Sequence, residues 1–180
     1  RWMHLPARLV GVRARRDNRA APGGSRLKLL VLAVGRPDRE RLGPIFEDYA
    51  ERIRRFGLAF ETRWVPEVRP GGRFSDPHVR EREARALREA LPERCNVIAL
   101  SPEGTSFTTD SFTRRLESWS QPLAAFVLGG PLGLDPAFRK PTDAVLSLSP
   151  MTLPHELARV VLAEQIYRAV TILRGVPYHK

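Results

Sequence analysis

The sequence has 180 residues, of which 42% are hydrophobic, with a formal net charge of +10 and a single cysteine. A chain of this length can bury one good core, so one domain is the default, and one cysteine excludes an intrachain disulfide and a cysteine-based metal site. No apolar run approaches the roughly 18 residues that a membrane span requires. We therefore expect a soluble, cytoplasmic protein that uses no metal.

The positive charge is concentrated at the beginning of the chain. Residues 1–26 carry a net charge of +6, whereas the other 154 residues carry +4. The Pro, Gly and Arg content of residues 1–26 argues against a packed element, and they lack the apolar stretch of a signal peptide. We expect a disordered basic extension, either an RNA-binding arm or upstream sequence included by a mis-called start before Leu27. Residues 27–180 would then form the single domain.

Five short apolar runs rich in β-branched residues predict strands, and helical or polar segments separate them. The runs are residues 27–34, 58–65, 95–100, 123–128 and 144–149. Helical spacing of apolar residues, or charge and capping patterns, predict helices at 39–56, 79–91, 110–119 and 154–173. Parallel neighbours need crossover connections, so this alternation predicts an α/β fold with a mostly parallel five- to six-stranded sheet and helices on both faces.

The last predicted helix, residues 154–173, is apolar almost all the way round. It leaves only a narrow polar stripe of Glu164, Gln165 and Arg168, together with the isolated Arg159. Such a helix must be buried on more than one face, and the sheet of so small a domain covers only one. We therefore predict that this helix forms a homodimer contact. The alternative is that a neighbouring helix of the same chain covers its second face.

Three loops follow the third, fourth and fifth strand-like runs: "LSPEGTSF" (100–107), "GGPLGLDP" (129–136) and "SPMTLPH" (149–155). In open α/β sheets, ligands bind beyond the carboxyl ends of the strands, where such loops meet. Glycines at 129, 130 and 133 would let the backbone approach a ligand closely. Their spacing is not G-x-G-x-x-G and no Lys-Ser/Thr follows, which argues against a dinucleotide fold, an ordinary Rossmann methyltransferase and an NTPase.

The loop of residues 149–154 is stiff, apolar and nearly uncharged, which suits contact with an adenine ring whose edge is read by the backbone. His155 and Arg159 follow one turn apart on one helix face and could point into the same cleft. Tyr178 and His179 offer an aromatic ring and a titratable ring that suit an unpaired base. The alternatives are a capping or packing role for His155 and a frayed C-terminal tail.

Together these segments resemble the bacterial 23S rRNA pseudouridine N3-methyltransferases of the SPOUT superfamily. The resemblance covers residues 27–180 and is carried by "KLLVLAVGR", "GGPLGL" and "LSLSPMTLPHELARVVLAEQIYRAVTILRGVPYHK". It implies a homodimer with a deep trefoil knot in its C-terminal half, where S-adenosylmethionine (SAM) binds in a bent form. The implied cofactor contacts are Leu100, Gly129, Leu148, Ser149, Pro150, Met151, Thr152 and Leu153.

The reaction implied by the resemblance is transfer of the SAM methyl group to N3 of a pseudouridine in a 23S rRNA stem-loop, with the assembled ribosome as substrate. The imide N–H must lose its proton, so a base is required. The candidates are His155 and His179, with Arg159 stabilising the developing anion and Tyr178 stacking on or hydrogen-bonding the target base.

Two other functions remain open from the residues alone. One is a non-catalytic RNA-binding or ribosome-assembly module in which the glycine loops are structural. The other is an α/β enzyme that uses a different nucleotide-like ligand. Both alternatives predict that the protein does not bind SAM.

Overall fold

A computed structural model of the protein describes residues 27–69 and 74–178, so the predicted basic extension and His179 lie outside the described residues. Its sheet has five strands, and every neighbouring pair is parallel. The spatial order is β2-β1-β4-β3-β5. The strands are β1 (Lys28–Val34), β2 (Ala59–Val65), β3 (Asn96–Ser106), β4 (Ala124–Leu128) and β5 (Ala144–Ser147).

Helices cover both faces of this sheet. They are α1 (Gly43–Arg55), α2 (Asp76–Ala90), α3 (Thr109–Trp119), α4 (Pro136–Arg139) and α5 (His155–Leu173). Helices α1, α3 and α5 share one hydrophobic core with the sheet, while α2 and the short α4 share the core on the opposite face. All five residues of β4 are buried because both of its faces are covered. The predicted α/β fold is confirmed.

Helix α1 begins four residues later than its apolar pattern predicts. The Asp38 carboxylate accepts hydrogen bonds from the backbone N–H groups of Glu40, Leu42 and Gly43, at 3.1, 3.0 and 3.3 Å, and also from that of Arg41. These bonds, that of Arg41 foremost, lower the pKa of Asp38. A local side-chain acceptor competes with helical pairing, so the chain turns around Asp38 before the helix starts.

The segment after the third predicted strand is not the loop that the sequence predicts. Strand β3 continues through it to Ser106, with a register shift between Leu100 and Thr105, so that both residues pair with Leu146 of β5. The residues between them form a bulge beside the carboxyl end of β5. Bulges redirect side chains, and they are common beside binding sites.

Helix α5 is covered on its flanks by helices of its own chain. None of its 19 residues is exposed. Leu162, Ile166 and Val170 are fully buried, and α1 and α3 pack on its two sides. The alternative in which helices of the same chain cover α5 is thus supported for its flanks. One outward stripe, defined as residues 157, 161, 165, 168 and 172, remains only half-buried.

None of the helices in the described part of the chain combines the length and the apolar character that crossing a bilayer demands.

Candidate functional site

A pocket of about 760 Å³ lies at the carboxyl ends of β3, β4 and β5. Its volume is within the range of small-molecule and cofactor sites. Its lining includes both apolar and charged residues. The apolar part includes five leucines from these strands and the segment after β5, which we call the leucine wall: Leu100, Leu128, Leu146, Leu148 and Leu153. Such a pocket fits a ligand with a flat apolar part and a charged part.

The glycine loop after β4 forms part of the floor of the pocket. A Cβ atom on Gly129 would lie 2.5 Å from the carbonyl carbon of Gly133 and 2.7 Å from the backbone N of Leu134. The loop closes through a 2.9 Å hydrogen bond from the N–H of Gly133 to the carbonyl of Gly130. Only glycine lets the chain fold back this tightly, which keeps the loop backbone at the pocket.

The segment after β5 is held by its own serines. The Ser147 hydroxyl donates a 2.9 Å hydrogen bond to the carbonyl of Ser149, whose hydroxyl accepts one of 3.0 Å from the N–H of Met151. The Met151 side chain is 77% exposed. Seven of the eight predicted cofactor-binding residues line the pocket, and Pro150 does not; the seven are Leu100, Gly129, Leu148, Ser149, Met151, Thr152 and Leu153.

His155 is the first residue of α5 and lines the pocket. Its Nε2 lies 3.3 Å from Oε1 of Glu156, and the same oxygen accepts a 2.7 Å hydrogen bond from Nη1 of Arg159. The Glu156 carboxylate thus lies beside one nitrogen of the ring and orients the imidazole. Sequence reasoning missed Glu156, although its place directly after a histidine at a helix start was a visible signal.

The four-residue spacing predicts that Arg159 points into the same cleft as His155. The structure places it elsewhere. The Arg159 side chain is fully buried and donates a hydrogen bond to the carbonyl of Val34, at the end of β1. Its guanidinium carbon lies 5.4 Å from the ring centroid of Trp64. Burial lowers the pKa of Arg159, and the nearby Glu156 opposes that shift. Arg159 therefore anchors α5 to the sheet and holds the carboxylate beside His155.

Tyr178 also lies away from the pocket of its own chain. Its ring packs edge-on against Tyr167 at 4.7 Å, its hydroxyl donates a 3.3 Å hydrogen bond to Glu164, and Arg168 lies over the ring at 4.9 Å. Burial raises the pKa of Tyr178. Glu164 follows His155 by nine residues, which is roughly 13 Å along a helix axis. Tyr178 and His155 of one chain are therefore not brought together.

The charged part of the pocket lining was not foreseen from the sequence. It includes Arg80 of α2, Arg139 of α4, and Ser101 and Glu103 of the β3 bulge. Arg139 Nη1 donates to Ser101 Oγ at 2.8 Å and to the carboxylate of Glu103. Among the residues that the structure describes, no cluster of three or more His, Cys, Asp or Glu side chains could hold a metal ion.

Beneath the glycine loop lies a buried carboxyl group that the sequence did not single out. Glu83 of α2 is 3% exposed, and its Oε1 accepts a 3.0 Å hydrogen bond from the N–H of Val68. Its Oε2 has no hydrogen-bond partner within the described residues. Burial foremost, with the nearby carboxylate of Glu67, raises the pKa of Glu83. Glu83 ties the segment after β2 to the helix below the pocket.

The raised pKa of Glu83 predicts a pH-dependent stability. The folded protein binds this proton more tightly than the unfolded chain does, so the contribution is complete at low pH and is lost as pH rises through the folded pKa. Glu83→Gln keeps an acceptor for Val68 without a charge. We expect this variant to melt about 2–4 °C above the wild type at pH 8 and to lose that advantage at pH 4. Thermal unfolding at the two pH values measures this difference in Tm. The control is Glu81→Gln, at an exposed position of the same helix. An equal Tm of Glu83→Gln and wild type at pH 8 would contradict the prediction.

Comparison with known proteins shows which protein family this chain resembles. A family profile described as "Predicted SPOUT methyltransferase" matches residues 27–179. Two relatives named "Ribosomal RNA large subunit methyltransferase H" are similar over 156 residues, or 86% of this chain and 100% of each relative. The one from Anaeromyxobacter sp. (strain Fw109-5) is 43% identical and the one from Gemmatimonas aurantiaca is 42% identical. The SpoU methyltransferase AviRb from Streptomyces viridochromogenes, solved in complex with AdoMet, is 16% identical, with a TM-score of 0.44 over 84% of this chain and 60% of that one.

Proposed function

The chain belongs to the SPOUT methyltransferase family, and from this premise we propose that it transfers the methyl group of SAM to N3 of a pseudouridine in 23S rRNA. The names of its relatives state a ribosomal RNA substrate of the large subunit. The observation that carries the proposal is the pocket itself. Its apolar wall, glycine loop and backbone-rich segment fit an adenosine, and His155 stands at its edge.

The residues of the pocket suit SAM for specific reasons. The five leucines form an apolar wall for the adenine ring, while the 149–153 segment and the glycine loop present backbone groups to its polar edge. The close return of the chain at Gly129, which a Cβ atom would obstruct, keeps the backbone of the glycine loop at the pocket. When bound, SAM supplies an electrophilic methyl group on a sulfonium. The family further implies that the segment forming this pocket is knotted.

His155 is the base in this proposal. The imide N–H of the target must lose its proton as the methyl is transferred, and His155 is the titratable side chain at the pocket that has an orienting carboxylate. Glu156 would stabilise the imidazolium that results. Arg159 acts as a positioning residue, because its hydrogen bond fixes Glu156 and its bond to the carbonyl of Val34 fixes α5.

The half-buried outward stripe of α5 supports a homodimer as part of the proposal. Its members include Leu157, Val161 and Ile172, which are aliphatic side chains left incompletely covered. A twofold axis perpendicular to α5 would pair this stripe with its copy on the partner and pack the two α5 helices antiparallel, and this is the arrangement that we propose. The end of one α5 would then lie beside the start of the other.

This packing offers a role for the residues after α5. Tyr178 does not reach His155 of its own chain, but an antiparallel partner would bring its residues 174–178 near that pocket. We therefore assign Tyr178, and His179 beyond it, to the target-base site of the partner subunit. The body of each subunit carries only +4, so two subunits together, docking on the shape of the assembled ribosome, would supply the RNA affinity that one lacks. The reaction would take place in the cytoplasm.

The test of this proposal is isothermal titration of the purified protein with SAM. We expect saturable binding with one site per chain, and stronger binding than that of ATP, which shares the adenosine but not the sulfonium amino acid. No heat of binding with SAM at concentrations up to about 1 mM would contradict the proposal and favour a non-catalytic RNA-binding module.

A further inference from the structure

We propose that Arg139 and Glu103 recognise the amino-acid end of SAM, with Arg139 binding its carboxylate and Glu103 its ammonium group. This inference rests on the proposed function, since it concerns how the same pocket holds its ligand. It adds a specificity: the pocket would distinguish ligands that carry the amino-acid chain from those that carry only the adenosine.

The first support is that the pocket is lined by two chemically distinct sets of residues. The leucine wall has no charge, so it suits the adenine ring and not a zwitterion. The charged side chains of the lining include the cations Arg80 and Arg139 and the carboxylate of Glu103. The amino-acid end of SAM carries one negative and one positive group, and burying either without a partner is costly. The charged set is where both groups find opposite charges.

The second support is the way in which Arg139 is held. It ends α4, a single turn that begins when Oδ1 of Asp135 accepts a 2.6 Å hydrogen bond from the N–H of Ala137. Its side chain is 19% exposed, and Nη1 donates hydrogen bonds to Ser101 and Glu103. Its Nε is buried and has no partner in the described part of the chain. The Arg139 guanidinium thus lies at the pocket with N–H donors that are not all used, and a carboxylate is the acceptor that fits it best.

The third support is the bulge in β3. Residues 101–104 leave the regular pairing between β3 and β5, and Ser101 and Glu103 of this bulge line the pocket. The Glu103 side chain is 74% exposed, so the carboxylate can move without a packing cost. Its carboxylate pairs with Arg139. With SAM bound, Arg139 would contact the ligand carboxylate while Glu103 turns to the ammonium.

The experiment compares two ligands by titration calorimetry: S-adenosylhomocysteine, which carries the amino-acid chain, and 5′-methylthioadenosine, which lacks it. We expect Arg139→Ala to weaken the affinity for S-adenosylhomocysteine by about 10- to 100-fold and to leave the affinity for 5′-methylthioadenosine unchanged. Glu103→Gln should show the same selectivity with a smaller loss. Arg114→Ala, at an exposed position on α3, is the control and should change neither affinity.

Three outcomes would overturn the inference. Equal weakening of both ligands by Arg139→Ala would show a purely structural role, and no change in either would show no role. If Arg80→Ala, and not Arg139→Ala, selectively lowers the affinity for S-adenosylhomocysteine, then Arg80 binds the ligand carboxylate. Failure of the proposed function is a separate result, because the wild type would then bind neither ligand.

Discussion

Replacing His155 by alanine is expected to lower the rate of methyl transfer by about 10²- to 10⁴-fold, the usual contribution of a positioned base. The affinity for SAM should stay near that of the wild type, because the proposed contacts with SAM lie on the leucine wall and the two backbone segments. A residual rate would persist, since positioning of the two reactants remains. Single-turnover methylation of ribosomes, together with SAM titration, measures both quantities.

Further variants test whether His155 acts as the base or only holds the loop. Glu156→Gln should lower the rate less, because the ring remains but loses its carboxylate. His78→Ala changes an exposed histidine of α2 and is the control. A wild-type rate in His155→Ala would transfer the role of base to another group.

Gly129→Ala is expected to weaken SAM binding more than any other single methyl addition at the pocket. The new Cβ would lie 2.5–2.7 Å from backbone atoms of Gly133 and Leu134, and backbone cannot rotate away as a side chain can. Overpacking costs about 1–3 kcal/mol, and if this displaces the loop the affinity for SAM falls by about 5- to 150-fold. Calorimetry measures the affinity, and thermal unfolding the stability.

Gly57→Ala is the matched control for this loop. Gly57 has φ of +73° at the end of α1, with open space around a built Cβ, so alanine there costs backbone strain of about 1–2 kcal/mol and lies away from the pocket. It should lower the Tm and leave SAM affinity unchanged. If Gly129→Ala binds SAM as tightly as Gly57→Ala does, the glycine loop does not contact the cofactor.

Much of the fold was predictable because burial on both faces of a parallel strand leaves a strong signal. "LAAFVL" is a continuous apolar run, "LKLLVLAV" is one apart from Lys28, and the two runs form the paired strands β4 and β1. The start of α5 was also marked, since Pro154 suits a helix entrance. The late start of α1 could not be predicted. It depends on the hydrogen bonds that the Asp38 carboxylate accepts from four backbone N–H groups, and apolar spacing carries no signal for those bonds.

The cofactor side of the pocket was easier to predict than its catalytic residues. Glycines and prolines beyond strand ends identify loops at one edge of a sheet. The four-residue spacing of His155 and Arg159 predicts that they share a helix face, but it does not predict what that face contacts. In the structure, Arg159 donates a hydrogen bond to the end of β1. Arg139 was missed because the one-turn helix that carries it has too few residues for a periodic pattern.

The most direct test of the central claim is methyl transfer from labelled SAM to ribosomes lacking this modification, followed by mapping of the labelled nucleotide. We predict one methyl group per ribosome, at N3 of a pseudouridine in 23S rRNA, and much less transfer to naked rRNA. Label at any other nucleotide or in ribosomal protein would contradict the claim, as would the absence of transfer by a protein that binds SAM.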